Sequence, residues 1–239
     1  MTRFKNSMKS LQYSWKRAMK MNQNLIDLNN KYENLTYLDR LKALFDEFDP
    51  DKILVTTSMG GSSIVLLHLI NKVAPRHPIH LIDTGYLFKE THAYKEYLMD
   101  QFDLNIVDVQ PRKSSHDFTA KYQVWNNDTD FCCFINKVEP MAELKKGKDV
   151  WISGLLRFQN ANRADKQIFE KSKGLLKFHP IIDMGPEDLN LYRTIYELPT
   201  HPLQYEGYGS IGCVHCTKKG KGREGRWQGQ EKTECGLHV

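Results

Sequence analysis

The chain has no apolar run long enough to cross a bilayer, which argues against a membrane-spanning protein. Nor does Met1 to Met21 read as an export signal. It mixes Arg3, Lys5, Lys9, Lys16, Arg17 and Lys20 with scattered apolar residues and has no continuous apolar core. A cytoplasmic location without membrane partners is therefore expected. Internal repeats and low-complexity stretches are missing, which excludes repeat and fibrous architectures. The turn Ser58-Met59-Gly60-Gly61-Ser62-Ser63 is neither the dinucleotide fingerprint nor the Walker loop, since no Gly-Lys-Ser/Thr follows. The charge excess is slight: 34 Lys and Arg against 29 Asp and Glu give +5. It is partly concentrated in Lys218, Lys219, Lys221, Arg223 and Arg226, where an anionic small substrate explains it without nucleic acid.

Cysteine is scarce, five in 239 residues, but its placement is uneven. Four residues form two tight pairs, Cys132-Cys133 and Cys213-Val214-His215-Cys216, and Cys235 stands apart near the C-terminus. In a reducing compartment such pairs mean metal or redox chemistry more often than disulfides. Cys-x-x-Cys suits a single metal centre, and a second pair completes a four-thiolate set that fits zinc or a 4Fe-4S cluster. Adjacent cysteines diverge, which is awkward for one tetrahedral zinc and easier for the separated corners of a cubane. Lys137 lies four residues beyond Cys133, on the same face if Cys132 to Glu139 is helical, where it would counter the centre's negative charge. His215, inside the second pair, is expected beside the centre and not as a ligand.

The length suits one substantial core with appendages. Leu38, Leu41, Leu44, Phe45 and Phe48 recur at helical spacing and predict a helix ending before Asp49-Pro50. The β-branched run Ile53 to Thr57 predicts a buried strand, followed by the turn Ser58-Met59-Gly60-Gly61-Ser62-Ser63 and a helix from Ile64. Further strands are expected at Ile79 to Ile82, Leu104 to Val109, Val150 to Ser153 and Leu175 to Phe178, with helices at Glu90 to Phe102 and Pro186 to Glu197. This alternation predicts an α/β fold with a doubly wound, mostly parallel sheet over residues 1–200, the first 50 being a helical N-terminal part. Residues 201–239 offer few apolar side chains and read as a flexible tail, with a mobile loop over Gly220 to Gly229.

In such folds ligands bind at the carboxyl ends of the strands, where helix N-termini present free N–H groups. Gly60 and Gly61 permit close backbone approach, and Ser58, Ser62 and Ser63 offer hydroxyls, a combination suited to an oxyanion. The loop resembles the pyrophosphatase-type loop of adenine nucleotide α-hydrolase-like proteins. Asp83-Thr84-Gly85 follows the second strand at the equivalent end, where a carboxylate and a turn glycine would border a nucleotide.

These segments, together with Ile82-Asp83-Thr84-Gly85-Tyr86, Lys137-Val138-Glu139-Pro140, Trp151-Ile152-Ser153-Gly154 through Arg163-Ala164, Gly207 to Thr217 and Glu234-Cys235-Gly236-Leu237-His238, resemble the iron–sulfur branch of the sulfonucleotide reductases, the assimilatory adenylyl-sulfate reductases. The resemblance runs from about residue 53 to the end. It implies a 4Fe-4S cluster on Cys132, Cys133, Cys213 and Cys216, and Cys235 as the nucleophile that takes the sulfonate from adenylyl sulfate. It also implies Lys137, Arg157 and Arg163 facing the sulfonucleotide, with Arg223 and Arg226 closing over it and His238 orienting the tail. Thioredoxin or a glutaredoxin-like dithiol would then release sulfite, and the cluster's role would be structural and electrostatic. Lys232, Arg223 and Arg226 are expected to favour the Cys235 thiolate. Two departures stand out: Leu156 and Phe158 replace an arginine and an acid common in the family, and Met184 replaces a tryptophan. The same chemistry on 3′-phosphoadenylyl sulfate, an ATP-dependent tRNA-thiolating enzyme of the same fold, and an iron–sulfur sensor remain alternatives, and homo-oligomerisation is left open.

Overall fold

The computed structural model describes residues 24–172 and 174–237. A helix over residues 24–33 (α1) leads into α2, Tyr37–Glu47. Thr36 caps α2 by accepting from the Asp39 N–H at 3.2 Å, and the helix buries Arg40, Leu41 and Leu44. Strands β1 (Ile53–Thr57), β2 (Ile79–Ile82), β3 (Ile106–Val109), β4 (Val150–Ile152), β5 (Phe169–Ser172) and β6 (Leu175–Phe178) form one sheet in the order β3-β2-β1-β4-β6-β5. All neighbours are parallel except β5 and β6. The expected doubly wound, mostly parallel α/β sheet is therefore present.

Helix α3 (Ser63–Val73) follows β1, α4 (Lys89–Phe102) follows β2, and α9 (Pro186–Ile195) packs near α3. Between β3 and β4 run the helices α5 (Lys113–Lys121), α6 (Val124–Asn127), α7 (Thr129–Cys133) and α8 (Glu139–Leu144). The chain moves outward through β1, β2 and β3 and then returns to place β4 on the other side of β1. The sheet's switch point thus lies between β1 and β4, where strand carboxyl ends and helix N-termini open a crevice.

Several elements differ from expectation, two of them in the sheet by more than a residue. The third strand begins at Ile106, because Asp103 ends α4 in the left-handed region at φ 48° and residues 104–105 make the turn back to the sheet. Strand β5, Phe-Glu-Lys-Ser, is an edge strand whose polar side chains give no apolar run to read. It is held by a Phe169 ring stacked on Phe178 at 4.6 Å, with Tyr32 edge-on to both.

One buried ion pair ties the N-terminal helices to the far side of the sheet. Arg40, 2% exposed, donates to both Asp183 oxygens at 2.6 and 2.7 Å and to the Tyr32, Glu33 and Pro180 carbonyls. Burial would raise the Asp183 carboxyl, but Arg40 holds it below its ordinary value. Arg40→Met should destabilise the fold by about 3–5 kcal/mol at neutral pH, measured by urea unfolding. Because the folded Asp183 is depressed, its contribution is present above the unfolded value of about 3.9 and is lost as pH falls through the folded one. The variant should lack that acid-side loss.

Candidate active site

The loop after β1 turns at Met59, not at its glycines. Met59 is fully buried at φ 50°, a left-handed conformation uncommon without glycine, and its N–H donates to Thr57 Oγ1 at 3.1 Å. Ser63 N–H then closes on the Gly60 carbonyl at 2.9 Å, starting α3. A Cβ at Gly61 would meet the Gln204 amide, which would have to move aside. Gln204 comes from α10 (Pro202–Tyr205) and Gln159 donates to Ser62 Oγ at 3.2 Å, so two glutamines flank the loop. Sequence reasoning named neither, because both contacts span long stretches of chain.

Ser58, Gly60, Gly61, Ser62 and Ser63 line a cavity of about 440 Å³ over the switch point. Its other walls include Ser153 and Gly154 after β4, Arg193 of α9, and the side chains of Lys137, Arg163, Arg223, Arg226 and Cys235. Four of the expected cations, Lys137, Arg163, Arg223 and Arg226, thus share a cavity with the glycine loop, Arg193 joins them, and Glu234 is the lone acid among the described residues lining it. Volume and charge suit a nucleotide-sized anion.

The first cysteine pair sits at the C-terminus of α7, whose cap Asp128 accepts from the Phe131 N–H at 2.8 Å. A π-turn, Phe134–Val138, follows where a regular helix was expected, and it carries Lys137. The second pair is stitched to the segment after β2: Leu87 bridges to Cys213, and Val214 N–H donates to the Tyr86 carbonyl at 2.8 Å. Thr84 Oγ1 lies 3.2 Å from Cys213 Sγ, and Asn136 Nδ2 donates to Cys132 Sγ at 3.6 Å. All five cysteines are free thiols.

Cys132, Cys133, Cys213 and Cys216 lie within electrostatic reach of one another. Burial, and then the neighbouring sulfurs, push the Cys132 thiol up to about 11 and also raise Cys216. Burial likewise raises Cys133, against the pull of Lys137. Burial would raise Cys213 too, yet Lys137, Thr84 and Arg226 bring it below its ordinary value. Burial pulls the Lys137 ammonium down, but Cys213, Cys235 and Cys133 outweigh it and raise it. Lys137 keeps some accessible surface because it lines the cavity. The all-sulfur donor set suits a metal centre. No three His, Cys, Asp or Glu side chains among the described residues stand close enough together to share one ion. His215 stacks flat on Trp125 at 3.8 Å.

The tail is docked over the cavity in this structure. Its apolar anchor is Trp227, 3% exposed, clasped by Arg226 over its ring at 4.3 Å. Backbone hydrogen bonds join Gly209 to Gly220, Lys218 to Gly225 and Trp227 to Cys216, so the glycines make close-packed turns here. Glu234 receives Arg163 Nε and Nη2 at 2.6 and 3.0 Å, Asn160 Nδ2 at 2.8 Å and Arg223 Nη2 at 3.4 Å. Burial, and then Arg163, lower Arg223 to about 10.

Several expected residues lie elsewhere. Arg157 donates to the Lys166 carbonyl at 2.8 Å and is not part of the cavity wall. Asp83, Thr84 and Gly85 also stand off the wall. Asp83 accepts from the Gly85 N–H, and Gly85 takes φ 74° with the His116 ring against its face, so this turn serves the cysteine segment. Lys232 goes to Asp130 and the Thr129 carbonyl, and Lys137 and Arg223 are the cations that face Cys235. Leu156 is buried in the core, Phe158 lines the cavity and Met184 is packed inside, so the two departures alter packing and wall shape. His238 lies outside the described residues.

No helix among the described residues is long and apolar enough to cross a membrane. The fold is similar to the crystal structure of phosphoadenylyl-sulfate reductase from Candida auris in its phosphate complex. The TM-score is 0.72 at 24% identity, covering 82% of this chain and 97% of that one. The chain is 34% identical over 214 residues to adenosine 5'-phosphosulfate reductase of Streptomyces coelicolor, covering 86% of this chain and 89% of the relative. It is 37% identical over 199 residues to phosphoadenosine 5'-phosphosulfate reductase of Alkalilimnicola ehrlichii, covering 79% and 81%. Residues 52–219, holding the glycine loop, both cysteine pairs and Lys137, match the phosphoadenosine phosphosulfate reductase domain, and the chain belongs to that family.

Proposed function

We propose that the chain reduces adenylyl sulfate to sulfite and AMP through an S-sulfonate on Cys235, at the expense of thioredoxin or a glutaredoxin-like dithiol. The observation that carries this is the meeting of Cys235, Lys137 and the Ser58–Ser63 loop in one cavity. The Cys235 thiolate attacks the substrate's sulfur, and the bond from that sulfur to the bridging oxygen breaks. AMP leaves with the electron pair on its phosphate. The departing charge is met by the α3 N-terminus, Arg226 and Lys137, which are already in place. A thiolate of the dithiol then attacks Cys235 Sγ, sulfite leaves with the bond pair, and the second thiol resolves the mixed disulfide. The dithiol ends oxidised by two electrons and Cys235 returns as a thiolate.

Cys132, Cys133, Cys213 and Cys216 would hold a 4Fe-4S cluster, as their all-sulfur set and spacing suggest. When bound it supplies a fixed anionic charge facing Lys137 and a tie between the two cysteine segments. Residues 201–239 would then act as a unit that closes on the cavity for sulfonation and opens for the dithiol.

The Alkalilimnicola relative's name supports a second reading, the same reaction on the 3′-phosphorylated nucleotide. Sulfite release with each nucleotide separates the two. We expect kcat/KM for adenylyl sulfate to exceed that for 3′-phosphoadenylyl sulfate by about tenfold or more. The reverse order would transfer the assignment to the second substrate, and no sulfite from either would remove both.

A further inference from the structure

We propose that Glu234 is a positioning residue: its bidentate pairing with Arg163 is the latch that holds the tail closed and sets Cys235 at the cavity. Arg163, which the family resemblance aims at the sulfonucleotide, is engaged instead with the residue next to the nucleophile. Both carboxylate oxygens are used, at 2.6 and 3.0 Å, and the two side chains are 8% and 11% exposed. The contact is reinforced on both flanks. Asn160 donates to Glu234, Asn162 donates to Thr233 Oγ1 at 2.7 Å, and Arg223 donates to the Thr233 carbonyl at 2.9 Å. The arrangement therefore fixes the backbone just before Cys235, not merely one side chain.

The latch is also wired to the anion site. Arg163 Nη1 donates to Gln159 Oε1, and Gln159 Nε2 donates to Ser62 Oγ at 3.2 Å. Asn162 and Arg163 sit on the short turn Ala161–Arg163 and Asn160 just precedes it, all in the body of the fold. Because Glu234 uses Arg163, the substrate's charge falls to Lys137, Arg226 and the loop N–H groups, which Glu234 leaves unengaged. An ionic latch suits a segment that must open, since both partners are resolvated once released. Among the described residues beyond Cys235, Leu237 is only partly buried, against the cluster of Leu54, Ile82, Met141, Trp151 and Leu175.

The latch's kinetic role rests on the S-sulfonate chemistry proposed above, and it predicts effects of opposite sign in the two half-reactions. In Glu234→Gln, formation of the Cys235 adduct from adenylyl sulfate, followed by mass spectrometry without a dithiol, should slow about ten- to a hundredfold. Release of sulfite from the preformed adduct by dithiothreitol should be unchanged or faster, because the open tail exposes the sulfur. Without nucleotide, alkylation of Cys235 by iodoacetamide, resolved by peptide, should be several-fold faster than in the wild type. Wild-type rates of adduct formation and alkylation in Glu234→Gln would overturn the latch, as would equal slowing of both half-reactions. If the wild type forms no adduct, the sulfonate chemistry is what fails, and the alkylation rates alone then decide whether the latch exists.

Discussion

Replacing Cys235 by serine should lower sulfite production from adenylyl sulfate by more than about 10⁴-fold, as removal of a covalent nucleophile does in other enzymes. The hydroxyl keeps the shape but not the chemistry. Serine attacks only when a base takes its proton, and the groups that face Cys235 are Lys137, Arg223 and other thiols, none of them suited to that task. The fold should be untouched, because Cys235 is half-buried at the cavity wall, outside the sheet core. Nucleotide binding, measured by calorimetry with AMP, should persist, since the glycine loop and Arg226 remain. Sulfite production within tenfold of wild type would remove Cys235 from the reaction.

Lys137→Met is the second large effect, with a loss of about 10²–10³ in kcat/KM expected. The lysine stands between the two halves of the site. It faces Cys133 and Cys213 from the π-turn and Cys235 from below the cavity, so one cation serves the cysteine centre and the nucleophile. Its removal leaves developing negative charge on the leaving phosphate without one of the cations that line the cavity. Methionine fills the volume, so a purely packing role would leave the rate near wild type. Single-turnover adduct formation would separate the two, and an unchanged rate would assign Lys137 to structure alone.

Much of this arrangement is legible in the residues. The run Ile53 to Thr57 followed by a Gly-Ser turn marks the loop site, because β-branched residues favour a buried strand and the glycines mark its break. Paired cysteines mark their own convergence, since thiols so placed rarely serve packing. What stays hidden depends on the docking of distant segments. Met59 carries the left-handed turn that Gly60 would be expected to take, and it is held there by burial and by the Thr57 hydroxyl. Gln204 lies on Gly61, and Glu234 meets Arg163 across most of the C-terminal third, contacts with no local periodicity to announce them. Apolar content alone likewise does not show how the tail docks, through one buried tryptophan, cation–π contacts and glycine turns packed against backbone. Arg157 shows the converse error: the motif places a cation in the loop, but the 3₁₀ turn Arg157–Gln159 directs it to the Lys166 carbonyl and gives the cavity Gln159 instead.

The most direct test of the whole account is mass spectrometry of the protein after incubation with adenylyl sulfate and no dithiol, mapped to each cysteine. One added SO₃ group on Cys235 alone, released as an equivalent of sulfite when a dithiol is added, is the predicted result. Turnover to sulfite with no adduct on Cys235, or with the sulfonate on Cys132, Cys133, Cys213 or Cys216, would contradict it.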